Sequence, residues 1–92
     1  MSNPIHPGRI LKEELEARGL SANRLALDLG VPANRITGIL NGKRAVSADT
    51  ALRLARYLGA SAQFWVNLQS HYDLEVAERE RGEEIRRSVR AA

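Results

Sequence analysis

Apolar residues return along this chain at intervals of three and four, and no stretch alternates with a period of two. That spacing marks helix faces and predicts an all-α protein. The first segment runs from about Pro7 to Arg18. Ile10, Leu11 and Leu15 form its stripe, Pro7 sits where a missing N–H costs nothing, and Gly19 supplies a left-handed stop. The second starts after Ser21, a good N-cap, and shows Leu25, Ala26 and Leu29 on one face before Gly30. The third begins near Pro32, points Ile36, Ile39 and Leu40 inward, and stops at Asn41-Gly42. The fourth is capped by Ser47 and has Asp49 in its first turn, where an acid complements the helix dipole. Its Ala51, Leu54, Ala55 and Leu58 fall at i, i+3, i+4, i+7 before Gly59. Ser61 caps the fifth, whose stripe of Phe64, Trp65, Leu68, Tyr72 and Val76 carries it to about Arg79. Beyond Glu78 the chain is mixed in charge and poor in apolar residues, and Gly82 interrupts it. A single domain over 1–92 is expected, with a helical core at about 7–58, a long helix at about 62–79 and a tail at about 80–92. The tail is read either as a frayed, solvent-exposed helix or as unstructured chain.

The second and third segments are short and joined only by Gly30-Val31, so they must cross at a large angle. Gly30 supplies the positive φ, Val31 pins the turn to the core, and the small Ala26 admits the neighbouring helix. This is the pattern of a helix-turn-helix. The outer face of its second helix has Ala33, Asn34, Thr37 and Gly38, with Arg35 alongside. Small and hydrogen-bonding side chains let a helix sit deep in a DNA major groove. Asparagine can pair bidentately with adenine, an alanine or threonine methyl can touch thymine, and Arg35 could reach guanine or a phosphate. Gly38 suits either close backbone approach to DNA or tight packing on a neighbour. After the helix, Asn41, Lys43 and Arg44 lie in a turn that can offer backbone N–H groups and two cations to phosphate. Ser21 is read as a cap that also helps aim an N–H at phosphate.

Charge supports this placement more than the net value does. The formal charge is +3 over 92 residues. Residues 1–60 hold nine Lys/Arg and five Asp/Glu, hence +4; residues 61–92 hold five and six, hence −1. No acid lies between Asp28 and Asp49, and Arg35, Lys43 and Arg44 fall in that gap. A surface facing phosphates disfavours acids there.

Other chemistry is scarce. There is no cysteine, so thiolate zinc sites and disulfides are excluded. His6 and His71 stand sixty-five positions apart with no metal-binding motif around them, and no Ser/His/Asp set is suggested. Neither a cofactor nor a metal nor catalytic residues are expected, and the protein is read as not an enzyme. No apolar run is long enough to span a bilayer, and residues 1–9 lack the apolar stretch of a signal peptide, which favours a cytoplasmic protein. Aromatics are few. Phe64, Trp65, Leu68 and Tyr72 either close the core or form a dimer or partner interface, and both readings stand.

The segment GLSANRLALDLGVPANRITGILNGKR resembles the helix-turn-helix core of the Cro/C1-type (XRE) family, whose fold is the lambda repressor-like five-helix domain. His6-Pro7-Gly8 ahead of it, and ADTALRLARYLGASAQFWVNLQSHYDL after it, are similar to the HigA/VapI antitoxins. The resemblance spans about residues 5–78 and implies a homodimer that binds a palindromic operator in double-stranded DNA and neutralises a HigB-type, mRNA-cleaving toxin. It places base reading at Ala33, Asn34, Thr37 and Gly38, and phosphate contacts at Ser21, Asn41 and Lys43. Phage-repressor relatives often have glutamine where Ala22 and Ala33 stand, and Pro32 occupies their usual Ser/Thr cap. Two other readings remain: a stand-alone regulator with no toxin, and an interaction module that has lost DNA binding.

Overall fold

A computed structural model describes residues 3–92. Five helices follow one another: α1 (Pro7–Arg18), α2 (Ala22–Leu29), α3 (Ala33–Leu40), α4 (Ala48–Leu58) and α5 (Ala62–Ser88). No strand occurs among the described residues.

Each boundary has a local cause. The Ser21, Ser47 and Ser61 side chains accept the backbone N–H of Arg24, Thr50 and Phe64. Each bond satisfies one of the donors that a helix start leaves orphaned. Gly19 and Gly30 adopt left-handed geometry at the ends of α1 and α2. Behind each, the following residue reaches back: Leu20 N–H to the Leu15 carbonyl at 2.9 Å and Val31 N–H to the Ala26 carbonyl at 3.0 Å. These are Schellman turns, which fix where the next helix departs.

Leu11 and Leu15 of α1, Leu25 and Leu29 of α2, Ile36 and Ile39 of α3 and Leu54 of α4 meet in one core, closed from α5 by Trp65. Leu40 and Val31 pack on its margin. Two polar residues are buried with it. Thr50 is held by the Ser47 hydroxyl, and Gln69 accepts the Val46 N–H at 2.8 Å while donating to Asp73 at 2.9 Å. Gln69 thereby ties the α3–α4 connection to α5, and its burial costs little because both ends of the amide are bonded. Packing at the front of the molecule is just as tight. A Cβ on Gly8 would strike the backbone carbonyl of Ile39, so only glycine lets α1 approach α3 so closely.

The molecule measures 48 × 23 × 21 Å, and its length comes from α5. That helix does not end near Arg79 but continues to Ser88, so only residues 89–92 lie beyond it. Of the readings of the tail, the solvent-exposed helix is the one present, and its own charges hold it. Arg81 pairs with Glu84 and Arg87 with Glu83, each within one turn. Gly82 does not break the helix either. The Glu78 carboxylate lies over the bare Gly82 backbone and meets Arg86 two turns away.

Candidate nucleic-acid interface

The helix-turn-helix is α2, the Gly30-Val31 turn and α3. Pro32 caps α3 without a side-chain bond, and Arg35 N–H finds the Pro32 carbonyl at 3.0 Å. With Ile36 and Ile39 fully buried, Ala33, Asn34 and Thr37 are left on the outer face, all exposed. The Thr37 hydroxyl lies 3.4 Å from both the Ala33 and Asn34 carbonyls, a distance at which a bond is weak and easily exchanged. The Asn34 side chain makes no hydrogen bond among the described residues. Chemically, this face offers an amide that can donate and accept at once, a hydroxyl, and a methyl.

Gly38 is half-buried rather than bare. A Cβ there would lie 3.2 Å from the Arg44 Cβ, so its small size serves packing of the following turn. That turn is bonded back onto α3. Asn41 N–H meets the Thr37 carbonyl, Gly42 N–H the Ile39 carbonyl, and both Lys43 and Arg44 N–H the Gly38 carbonyl, at 2.9–3.1 Å. The expectation of backbone N–H groups free for phosphate is therefore corrected: the uncapped carbonyls of α3 take them. What the turn offers is its side chains. Asn41, Lys43 and Arg44 are exposed, and neither cation has an ion-pair partner among the described residues.

Arg35 needs the second correction. Its guanidinium does not lie free beside Asn34 but donates to Asp49 Oδ2 at 2.9 Å, across to the first turn of α4. The same oxygen accepts from Arg53 Nε at 2.9 Å, and Arg53 also donates to the Leu29 carbonyl at 2.7 Å. Arg53 and then Arg35 hold the Asp49 carboxyl below its usual range. This chain of contacts joins all three helices around the reading face. The sequence reading missed it because Arg35 and Asp49 are fourteen positions apart, with no periodic signal between them. Ser21, the remaining phosphate candidate, is exposed, and its oxygen is engaged as the α2 cap.

At the other edge of the site, His6 caps α1. Its Nδ1 accepts the Gly8 N–H at 2.9 Å, and its ring meets Tyr72 of α5 edge-on at 4.9 Å. Partial burial lowers its pKa, against the smaller opposing effects of the Arg44 backbone and Asp73. The four α5 candidates separate accordingly. Trp65 is 1% exposed, which removes it from any surface role. Tyr72 is half-buried on His6, Leu68 is half-buried against the core, and Phe64 is exposed with its ring edge-on to Trp65.

Comparison with known proteins agrees with this geometry. The family model described as "Helix-turn-helix" matches residues 11–65. Virulence-associated protein I of Dichelobacter nodosus is 53% identical over 78 residues, covering 84% of this chain and 72% of its own. The structure of an addiction module antidote protein of the HigA family from Coxiella burnetii superposes with a TM-score of 0.95 at 49% identity, over 99% of this chain and 100% of that one. Pseudomonas aeruginosa antitoxin HigA, solved with the higBA promoter, gives 0.93 at 44% identity over 96% and 97%. The fold and its exposed α3 face thus define a DNA-binding helix-turn-helix protein of the Cro/C1 type. Within that class the chain belongs to the HigA antitoxin family, whose members are DNA-binding repressors and not enzymes. No helix of the described residues is long and apolar enough to cross a membrane.

Proposed function

We propose that this protein is a cytoplasmic homodimer that represses its own operon by binding a pseudo-palindromic operator, and that it neutralises a HigB-type, mRNA-cleaving toxin. Ala33, Asn34 and Thr37 read bases; Lys43 and Arg44 hold phosphates, with Ser21 and Asn41 beside them. The observation that carries this reading is the exposed Ala33–Asn34–Thr37 face, flanked by Lys43 and Arg44, two cations with no ion-pair partner among the described residues. One such face reads one half-site, so a two-fold operator calls for two copies. Exposed Phe64 and the outer part of α5 supply apolar surface for pairing or for the toxin, with Leu74 71% and Ile85 44% exposed.

The direct test is fluorescence anisotropy on DNA from upstream of the protein's own gene, against a scrambled duplex of equal length. Binding at least ~1000-fold tighter to the natural sequence at near-physiological salt is expected. Equal affinity for both duplexes would overturn operator recognition. Sedimentation at tens of micromolar checks the dimer, and a monomer there would remove it. Co-expression with the toxin gene of the same operon checks the remaining partner: rescue of growth and co-purification are expected.

A further inference from the structure

The arrangement around Asp49 does more than brace helices. Arg35 follows Asn34 directly, in the first turn of the reading helix, the part that enters the groove in helix-turn-helix docking. A guanidinium at that point, if free, reaches the phosphate backbone. Here it is turned to the side and bonded to a carboxylate that is itself 58% exposed, while Arg35 is 27% exposed. Asp49 is also the first acid after Asp28, and it closes the acid-free stretch of sequence that holds Arg35, Lys43 and Arg44. An anion so placed weakens attraction to every phosphate nearby, so it lowers affinity for DNA of any sequence. Binding energy drawn from phosphates does not distinguish sequences, so withholding one such contact lowers affinity for operator and non-operator DNA by the same factor and leaves their ratio unchanged.

We propose that Asp49 limits the affinity of this protein for DNA: it latches the Arg35 guanidinium against α4 and withholds it from the DNA backbone. Arg53, bonded to the same carboxylate oxygen and to the α2 C-terminus, keeps the Asp49 carboxylate in place. The latch weakens backbone binding on any sequence and leaves discrimination to Asn34 and Thr37. This deepens the reading of α3 as the base-reading helix and rests on it.

The experiment measures the full-length protein on a scrambled duplex and on its operator, from about 50 to 200 mM salt, for the wild type, Asp49→Asn, Arg35→Gln and the double variant. One additional phosphate contact steepens the plot of log affinity against log salt by about 0.9, or about three-fold across that range. Asp49→Asn is expected to bind scrambled DNA and operator several-fold tighter, each with that steeper slope, and to keep its operator preference. Arg35→Gln alone keeps the wild-type slope, and the double variant matches it. An unchanged slope in Asp49→Asn overturns the latch. So does a steepening that persists in the Arg35→Gln background, because the charge of Asp49 would then act without Arg35. A purely structural brace shifts the melting temperature of these variants but leaves the slope on scrambled DNA alone, which also overturns the proposal. If Asp49→Asn melts early, Arg35→Gln in the wild-type background still decides. A loss of slope there shows that Arg35 already touches phosphate, and a loss of preference at one operator base pair shows that it reads a base. Failure of the underlying α3 reading appears separately, as a wild type with no operator preference.

Discussion

Two regions of this protein are rich in exposed polar side chains and use them in opposite ways. The second half of α5 turns its charges on itself: Arg81 meets Glu84, Arg86 meets Glu78 and Arg87 meets Glu83. Each of these exposed pairs contributes ~0.5 kcal/mol or less, yet together they sustain a helix with little core beneath it. The outer face of α3 and the turn after it have no such closure. Asn34 has no partner, Thr37 has only long ones, and Lys43 and Arg44 stand unpaired among the described residues. Polar groups satisfied within the chain build structure, and groups left unsatisfied are the ones available to a ligand. Arg35 lies on the border between the two behaviours, on the reading helix but latched to Asp49.

The comparison breaks most completely where the reading face loses its foundation. Gly8→Val drives a side chain into the Ile39 carbonyl on the inner side of α3. The backbone cannot yield there as a flexible side chain would, so a loss of ~3 kcal/mol or more is expected. A urea titration measures it, and a loss under 1 kcal/mol would show that α1 can shift away from α3. Next in size is Asn34→Ala, which should cost ~1–3 kcal/mol on the operator while scarcely altering scrambled DNA. Equal losses on both duplexes would assign Asn34 to the backbone set. Lys43→Ala should weaken both duplexes together and flatten the salt slope by about one. A slope that stays put would take Lys43 out of contact with phosphate.

How far these sites were readable from the chain follows from the range of the interactions that make them. Serine caps, left-handed glycines and three–four stripes are local, so Ser21, Gly30 and the buried Ile36 and Ile39 could be placed from neighbouring residues. The exposed residues Ala33, Asn34 and Thr37 then follow by subtraction, as what α3 does not bury. Long-range contacts have no such signature. Gly8 looked like part of a helix start, and its close approach to Ile39 depends on a partner thirty-one positions away. Gln69 carries no signal of its burial in the sequence, because the Val46 N–H that satisfies it lies in the connection between α3 and α4. Trp65 could be core or interface on spacing alone, and only packing separates it from its exposed neighbour Phe64. The end of α5 was misplaced because Gly82 was weighed for its low helix propensity, without the carboxylate that covers it.

His6 joins the two regions, since it caps α1 beside the turn that carries Lys43 and Arg44 and rests on Tyr72 of α5. Its pKa in the fold lies below the ordinary 6.5, so the unfolded chain binds a proton at this residue more readily. The His6 contribution to stability is therefore complete above about pH 6.5 and is lost as pH falls below it. Asparagine can supply the same cap without titrating, so the urea midpoint of His6→Asn should fall less between pH 7.5 and about pH 5.5 than that of the wild type. Parallel curves would mean that the cap survives protonation, with the imidazole turning to another partner.

The smallest effect sharpens the comparison from the α5 side. Gly82→Ala gains ~1 kcal/mol of helix propensity and displaces the Glu78 carboxylate from its seat, forfeiting an exposed pair with Arg86 worth less than that. The propensity term is the larger, and the carboxylate is the free end of a flexible side chain that can swing aside. The net result is a firmer helix, in a segment that touches little of the core. Circular dichroism at 222 nm should deepen slightly while the midpoint of global unfolding moves by no more than a degree or two. A drop in helicity would mean that the Glu78–Arg86 pair, and not backbone propensity, holds the last turns of α5 together. The ion pairs there would then act as a cooperative network, worth more than exposed pairs measured one at a time.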